Sequence, residues 1–309
     1  MGASPPEKRA SPRRRVTISD GTAEAEIDTQ GGCIAAFRWR RNGAAIDWLR
    51  PAPNDGETPT DSTAPTETAC FPLVPYSNRI RESRFAFEGR DYRLARNFGA
   101  SPHSIHGHGW LEPWEITAQS DDSLTLAYTH EADDWPSAYR AEQSFTLHGG
   151  ALTVELAVTN TGARAMPAGL GLHPYFPRTP QCRLTAGVEG MWKTDGEVMP
   201  TTLIKADLSG GLQPEDTALD NCFTGFAGTA VIDWPERHAS LTLEADPALA
   251  FLVVFTPPGE DFFCAEPVSH STDAVNLAAA RGDTGLTVLQ PGERFSAEVR
   301  FLPRLDDAR

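Results

Sequence analysis

Positive charge is scarce in this 309-residue chain. Lysine and arginine number 27 against 42 aspartates and glutamates, a formal net charge of −15. Phosphate neutralisation needs a basic face, so the deficit argues against a nucleic-acid partner. It argues equally against anchoring on an anionic membrane. Lysine occurs only at Lys8, Lys193 and Lys205, none in an apolar segment that would lower its pKa, which disfavours Schiff-base chemistry. No run of eighteen apolar residues is present, as a transmembrane helix would need. Met1 to Arg15 is polar and basic and lacks the apolar stretch of a secretory signal. The five cysteines (Cys33, Cys70, Cys182, Cys222 and Cys264) are odd in number, scattered, and form no C-x-x-C pair. That usage reads as reduced thiols, and the expected address is the cytoplasm. Gly-x-x-x-x-Gly-Lys and Gly-x-Ser-x-Gly are both missing. Gly169-Leu170-Gly171 runs into Leu172-His173-Pro174 and is no dinucleotide fingerprint.

What the chain has is glycine (26) and proline (25), spread throughout, with short alternating stretches between them. Leu152, Val154, Leu156 and Val158 alternate with polar neighbours. So do Leu124, Leu126 and Tyr128, then Leu241 and Leu243, then Phe295, Ala297, Val299 and Phe301. Period two with one apolar face predicts half-buried antiparallel strands. Glu88-Gly89-Arg90, His148-Gly149-Gly150 and Pro291-Gly292 each sit between two such stretches and fit hairpin turns. No segment reads as a long amphipathic helix, so the expected class is all-β, a large sandwich. Residues 1–15, with Arg13-Arg14-Arg15 beside prolines, read as a flexible solvated tail, and residues 16–305 as a single domain. Pro51 to Ala69, with four prolines and few apolar residues, reads as a long surface loop.

Three stretches could carry chemistry. In Phe71-Pro72-Leu73-Val74-Pro75-Tyr76-Ser77-Asn78-Arg79-Ile80, prolines and apolar residues fix the backbone ahead of two hydrogen-bonding side chains. Arg79 fits either a surface ion pair or a polar fork over a pocket. Ser104-Ile105-His106-Gly107-His108-Gly109-Trp110 alternates histidine and glycine. With Glu112 it has the H-x-H-x-x-x-E spacing of a cupin metal site, but no further histidine follows His270 to complete that set. Trp110 fits ordinary core packing or offers a flat apolar face. Gly169 to Phe176 puts His173 at the end of an apolar strand, where an imidazole could donate and recover a proton near neutrality. A partner carboxylate would be Glu266, after Phe262-Phe263, or Asp220, in Leu219-Asp220-Asn221-Cys222-Phe223; Glu293, in a turn, is a weaker candidate.

Taken together, in this order and spacing, these motifs resemble the aldose 1-epimerase (galactose mutarotase-like) family from about Ala25 to Leu302. They are the Gly31-Gly32 hairpin, Asn78-Arg79-Ile80, His106-Gly107, His173-Pro174-Tyr175-Phe176, Asp220-Asn221-Cys222-Phe223, and Glu266 followed by Asp273-Ala274-Val275-Asn276. The resemblance implies a large antiparallel β-supersandwich and an isomerase that interconverts the α and β anomers of a free aldohexose such as galactose or glucose. It implies Glu266 as general base and His173 as general acid, with Arg79, His106, Asp220 and Asn78 holding the sugar. It also implies no cofactor and no metal. His108 has no firm counterpart. Two neighbouring readings stay open. One is a hexose-6-phosphate mutarotase, which would need extra arginines at the pocket mouth, with Arg81, Arg84 and Arg96 near in sequence. The other is a sugar-binding protein without catalysis on the same fold.

Overall fold

The computed structural model describes residues 12–41, 43–53, 64–278 and 284–306, and nearly all of its regular structure is antiparallel strand. The alternating stretches become strands that bury every second residue. Tyr139–His148 and Ala151–Asn160 pair through the His148-Gly149-Gly150 turn, with Phe145 opposite Val154 and Leu147 opposite Leu152. Arg294–Leu305 extends the pairing on the other side. Among the described residues these belong to a nine-stranded sheet that also holds Glu115–Gln119, Ser123–His130, Ala239–Ala245, Thr229–Trp234, Arg183–Ala186 and Leu208–Leu212.

A second, eleven-stranded sheet runs Arg15–Ser19, Ala23–Asp28, Cys33–Arg41, Cys70–Leu73, Gly171–Pro177, Phe262–Val268, Phe251–Phe255, Asp220–Thr224, Gly190–Thr194, Pro200–Lys205, with Ala44–Asp47 beside Cys33–Arg41. Its central strands are buried on both faces, so their sequences read as continuous apolar runs. Alternation still sorts them. Leu172, Phe176, Phe263, Ala265, Leu252 and Val254 join the main core between the sheets. Their neighbours Tyr175, Cys264, Val253 and Val268 join a smaller cluster with Phe71 and Trp110 on the opposite face. Aromatic contacts bridge the sheets, including Phe37 on Phe301 with ring centroids 6.4 Å apart and Trp48 on Trp234 at the same spacing.

Two expectations are revised. Thr287–Leu289 does not form a hairpin with Arg294–Leu305 across Pro291-Gly292; it pairs with Met166–Ala168. Arg13 and Arg15 are not solvated: Arg13 Nη2 lies 2.9 Å from Asp28 and Arg15 Nε 3.7 Å from it, and Asp28 is fully buried. A buried carboxylate needs such partners. Residues 1–11 of the expected tail lie outside the described residues. So do residues 54–63 of the expected surface loop, whose described part includes a 3-10 turn at Pro65–Glu67 and a buried Ala69. No helix of the described residues is long and apolar enough to cross a membrane.

Candidate active site

The face of the eleven-stranded sheet that turns away from the main core carries a pocket of about 360 Å³, within the usual range for small-molecule sites. Its floor follows from strand register. Gly171 pairs with Val268 and Tyr175 with Cys264, so His173 and Glu266 face each other midway between those pairs. Period two puts both side chains on the pocket face. His173 Nε2 lies 3.3 Å from Glu266 Oε1, and both groups are buried. Glu266 Oε2 and His173 Nδ1 have no hydrogen-bond partner among the described residues. The imidazole is held between rings: Phe71 stacks on it at 4.4 Å, Tyr175 at 4.8 Å, and His106 meets it edge-on at 5.3 Å.

Burial disfavours charge on both members of this pair. It pushes the Glu266 carboxyl well above the usual carboxylate range, and the charge of Asp220 adds to the rise while Arg79 opposes it. Burial also takes the His173 imidazole down to about 3, assisted by the charges of Arg50 and Arg79. The dyad is therefore a place where one proton is shared between a carboxyl and an imidazole, each shifted toward its neutral form.

The wall beside this dyad is built by two interlocked loops. Asn78 and His106 both have positive φ, 57° and 61°, an uncommon state for non-glycine residues. Reciprocal bonds hold them there: Asn78 N–H donates to His106 Nδ1 at 3.1 Å, and His106 N–H donates to the Asn78 carbonyl at 3.0 Å. Accepting at Nδ1 leaves the neutral His106 imidazole with its proton on Nε2, as a donor. Burial keeps it neutral, lowering its pKa well below the usual value. Asn78 Oδ1 accepts from Arg79 N–H and Nη1, and Arg79 Nη2 donates to Asp220 Oδ2 at 3.3 Å. Buried Asp273 clamps the same segment from behind. Its N–H donates to the Arg79 carbonyl and its Oδ1 accepts from Arg81 N–H and Asn276 Nδ2.

Residues singled out in the sequence thus converge. Arg79, His106, Asp220, Asn78, His173 and Glu266 all line this one pocket. Trp110 is both wall and core, stacking on Phe71 at 5.2 Å. His106 and His108 part company: His108 turns away and stacks on His130 at 4.3 Å, its Nε2 3.4 Å from Asp134. Glu112 is exposed, so the spacing His106, His108, Glu112 does not make one ligand cluster among the described residues. Glu293 stays in its turn, accepting from Gln290 N–H. Arg81 pairs with Asp195 and Asp273 instead of lining the pocket, and Arg84 and Arg96 are exposed. Arg50, which no motif marked, does line the pocket. Its only local signal was a cation wedged between Trp48-Leu49 and Pro51.

A model of the family described as aldose 1-epimerase matches residues 14–302. A curated relative from Escherichia coli (strain K12), the uncharacterized protein YphB, is 36% identical over 295 residues, which is 92% of this chain and 96% of the relative. A solved Escherichia coli K12 structure, described as that of a candidate aldose 1-epimerase, superposes with a TM-score of 0.85 at 32% identity, covering 96% of this chain and 100% of that one. A galactose mutarotase-like protein from Clostridium acetobutylicum shares the fold at a TM-score of 0.83 and 17% identity, over 97% of this chain and 100% of that chain.

Proposed function

The chain belongs to the aldose 1-epimerase family, and from that premise we propose that it interconverts the α and β anomers of a free aldohexose by acid–base opening and closing of the sugar ring. The observation that carries this reading is the 3.3 Å approach of His173 Nε2 to Glu266 Oε1 on the floor of a sugar-sized pocket.

The single proton of the dyad rests on Glu266, and the step begins when it passes to His173 and leaves Glu266 ionised, the arrangement that burial disfavours. Glu266 takes the proton of the anomeric hydroxyl. The O1–C1 bond becomes a carbonyl, the C1–O5 bond breaks, and His173 hands its proton to O5. Each group works within about 3 Å of its own oxygen. The dyad is now a neutral carboxylic acid and a neutral imidazole, the state that burial favours. Burial therefore favours this state over the ionised pair that precedes it. Rotation about C1–C2 presents the other carbonyl face. His173 then removes the O5 proton, O5 attacks C1, and Glu266 returns a proton to O1. Arg79 and the Nε2–H of His106 are donors for oxygens that gain charge. Asp220 accepts hydrogen bonds from ring hydroxyls and fixes orientation. All the proton transfers are carried by side chains of this chain.

Polarimetry with freshly dissolved α-D-glucose or α-D-galactose tests the reading. Glu266→Gln and His173→Asn should each slow anomer exchange by about 10²-fold or more, the usual scale of acid–base catalysis. Rates untouched by both substitutions would defeat the assignment.

A further inference from the structure

His108 and His130 are two imidazoles that the sugar pocket does not use. His108 comes from the loop after Ser104–Ile105 and His130 from the end of Ser123–His130, and their rings stack at 4.3 Å. Each Nδ1 meets a tyrosine hydroxyl at 3.1 Å, His108 with Tyr139 and His130 with Tyr128. Each Nε2 faces the acidic turn that follows His130. His130 Nε2 lies 3.0 Å from Asp133 Oδ1, and His108 Nε2 lies 3.4 Å from Asp134 Oδ1. His130 is 5% exposed, yet its Nε2 has no hydrogen-bond partner among the described residues, and neither has Asp134 Oδ1. The 3.0 Å contact is short but is not aligned as a hydrogen bond. Burying polar atoms without partners is costly, and a cation held here would satisfy both.

One ligand atom from each of His108, His130 and Asp133 lies within 4.8 Å of the others. Ligands about 2.1 Å from a tetrahedral zinc ion stand roughly 3.4 Å from one another, so the 3.0 and 3.4 Å approaches are already of that size. The rings are only 14° from parallel, and one must tilt for both lone pairs to meet at one point. His108, with its side chain 23% exposed, has room to do so. Imidazole nitrogens beside a carboxylate suit zinc and its neighbours among the transition metals, whereas magnesium and calcium take oxygen ligands. The tyrosine hydroxyls supply the outer contacts that orient metal-bound imidazoles. We propose that His108, His130 and Asp133, with Asp134 beside them, bind one divalent transition-metal ion of the zinc type. The ion would brace the pocket wall from behind. Asp134 Oδ2 accepts from Ala95 N–H at 2.6 Å, and Asn97 holds the N–H of Ile105 and the carbonyl of Gly107. Metal at His108 and His130 thus ties the loop that carries His106 to the nine-stranded sheet. Neither the site nor its test depends on the mutarotase reading.

Titration of the untagged, chelator-dialysed full chain with Co2+ tests this, the visible absorption of the ion reporting its coordination. The wild type should bind one equivalent with the intense bands of a tetrahedral site. Zn2+ should displace the Co2+ and raise the melting temperature. Asp133→Ala changes an exposed side chain and His108→Gln a partly exposed one, so both variants should fold. Each should weaken Co2+ binding by ~10-fold or more, at least the cost of losing an outer partner, and remove most of the zinc-dependent rise in melting. His173, Cys264 and Glu266 are the other such cluster among the described residues. His173→Asn is therefore the control and should leave the titration unchanged. A spectrum lost in His173→Asn and kept in Asp133→Ala and His108→Gln would move the metal to the sugar pocket and overturn the proposal. So would affinity equal to the wild type in both of those variants, the pale spectrum of six-coordinate Co2+, or zinc binding without any rise in melting.

Discussion

The His173–Glu266 pair has a consequence for pH that an exposed pair would not. The reactive dyad holds one proton, so activity falls when a second is added and when the first is removed. An exposed carboxylate base would lose activity near 4.5 and an exposed imidazole acid near 6.5, a narrow window. Here the order is reversed. The second proton must go to His173, whose imidazole is lowered to about 3, and the last proton leaves a Glu266 carboxyl raised well above its usual value. The kcat/KM profile, which reports the free enzyme, should therefore keep its plateau below pH 4.5, with the acid limb near 3 set by His173 and the alkaline limb set by Glu266. Loss of activity on the acid side near 4.5 would contradict it. Asp220 provides the second check. Its negative charge helps raise the Glu266 carboxyl, so Asp220→Asn should move the alkaline limb toward lower pH. The same change releases Arg79 from its 3.3 Å contact and should raise KM by ~10-fold, the cost of one charged hydrogen bond.

At the scale of elements, the site depends on two loops locked by backbone geometry. Gly107 bridges Val74 with φ of 70°, and a Cβ there would overlap the Val74 carbonyl and the Pro75 ring. Gly107→Ala should thus cost about 1–3 kcal/mol in thermal unfolding and lower the exchange rate, because the displaced segment begins at His106. A variant with unchanged melting and rate would show that the loops do not set the site. The same dependence explains what could be read without coordinates. Strands such as Ala151–Asn160 were legible because a half-buried strand prints period two on its own sequence. Glu266 was legible because a carboxylate after two phenylalanines has to be accounted for. Asn78, Arg79, His106 and Asp220 were legible only as a set, through family resemblance, since each alone fits a surface contact. The partner of Thr287–Leu289 was not legible: short strands pair by tertiary fit, and Met166–Ala168 lies more than a hundred residues away. Arg50 was hidden for a similar reason, as its neighbours Tyr175 and Phe262 come from strands far along the chain. The role of His108 was not legible, because Gly107 between it and His106 sends the two rings to different places.

For the molecule as a whole, the eleven-stranded sheet divides labour between its faces. One face packs on the nine-stranded sheet and supplies the larger core; the other holds the dyad and its pocket. A mutation should then report on stability or on chemistry according to the face it touches. Phe301 is fully buried between the sheets against Phe37 and is remote from the pocket lining. Phe301→Ala should lower stability by about 3–5 kcal/mol, the usual cost of deleting a core ring. The exchange rate per folded molecule should stay near that of the wild type. Glu266→Gln should do the opposite. It removes a buried, incompletely hydrogen-bonded carboxyl, whose retention costs stability, so melting should stay level or rise while the rate collapses. Measuring thermal unfolding and anomer exchange on the same two preparations separates these outcomes. If Phe301→Ala also abolished exchange in the folded protein, the pocket would depend on the packing between the sheets. The independence of the two faces would then be wrong.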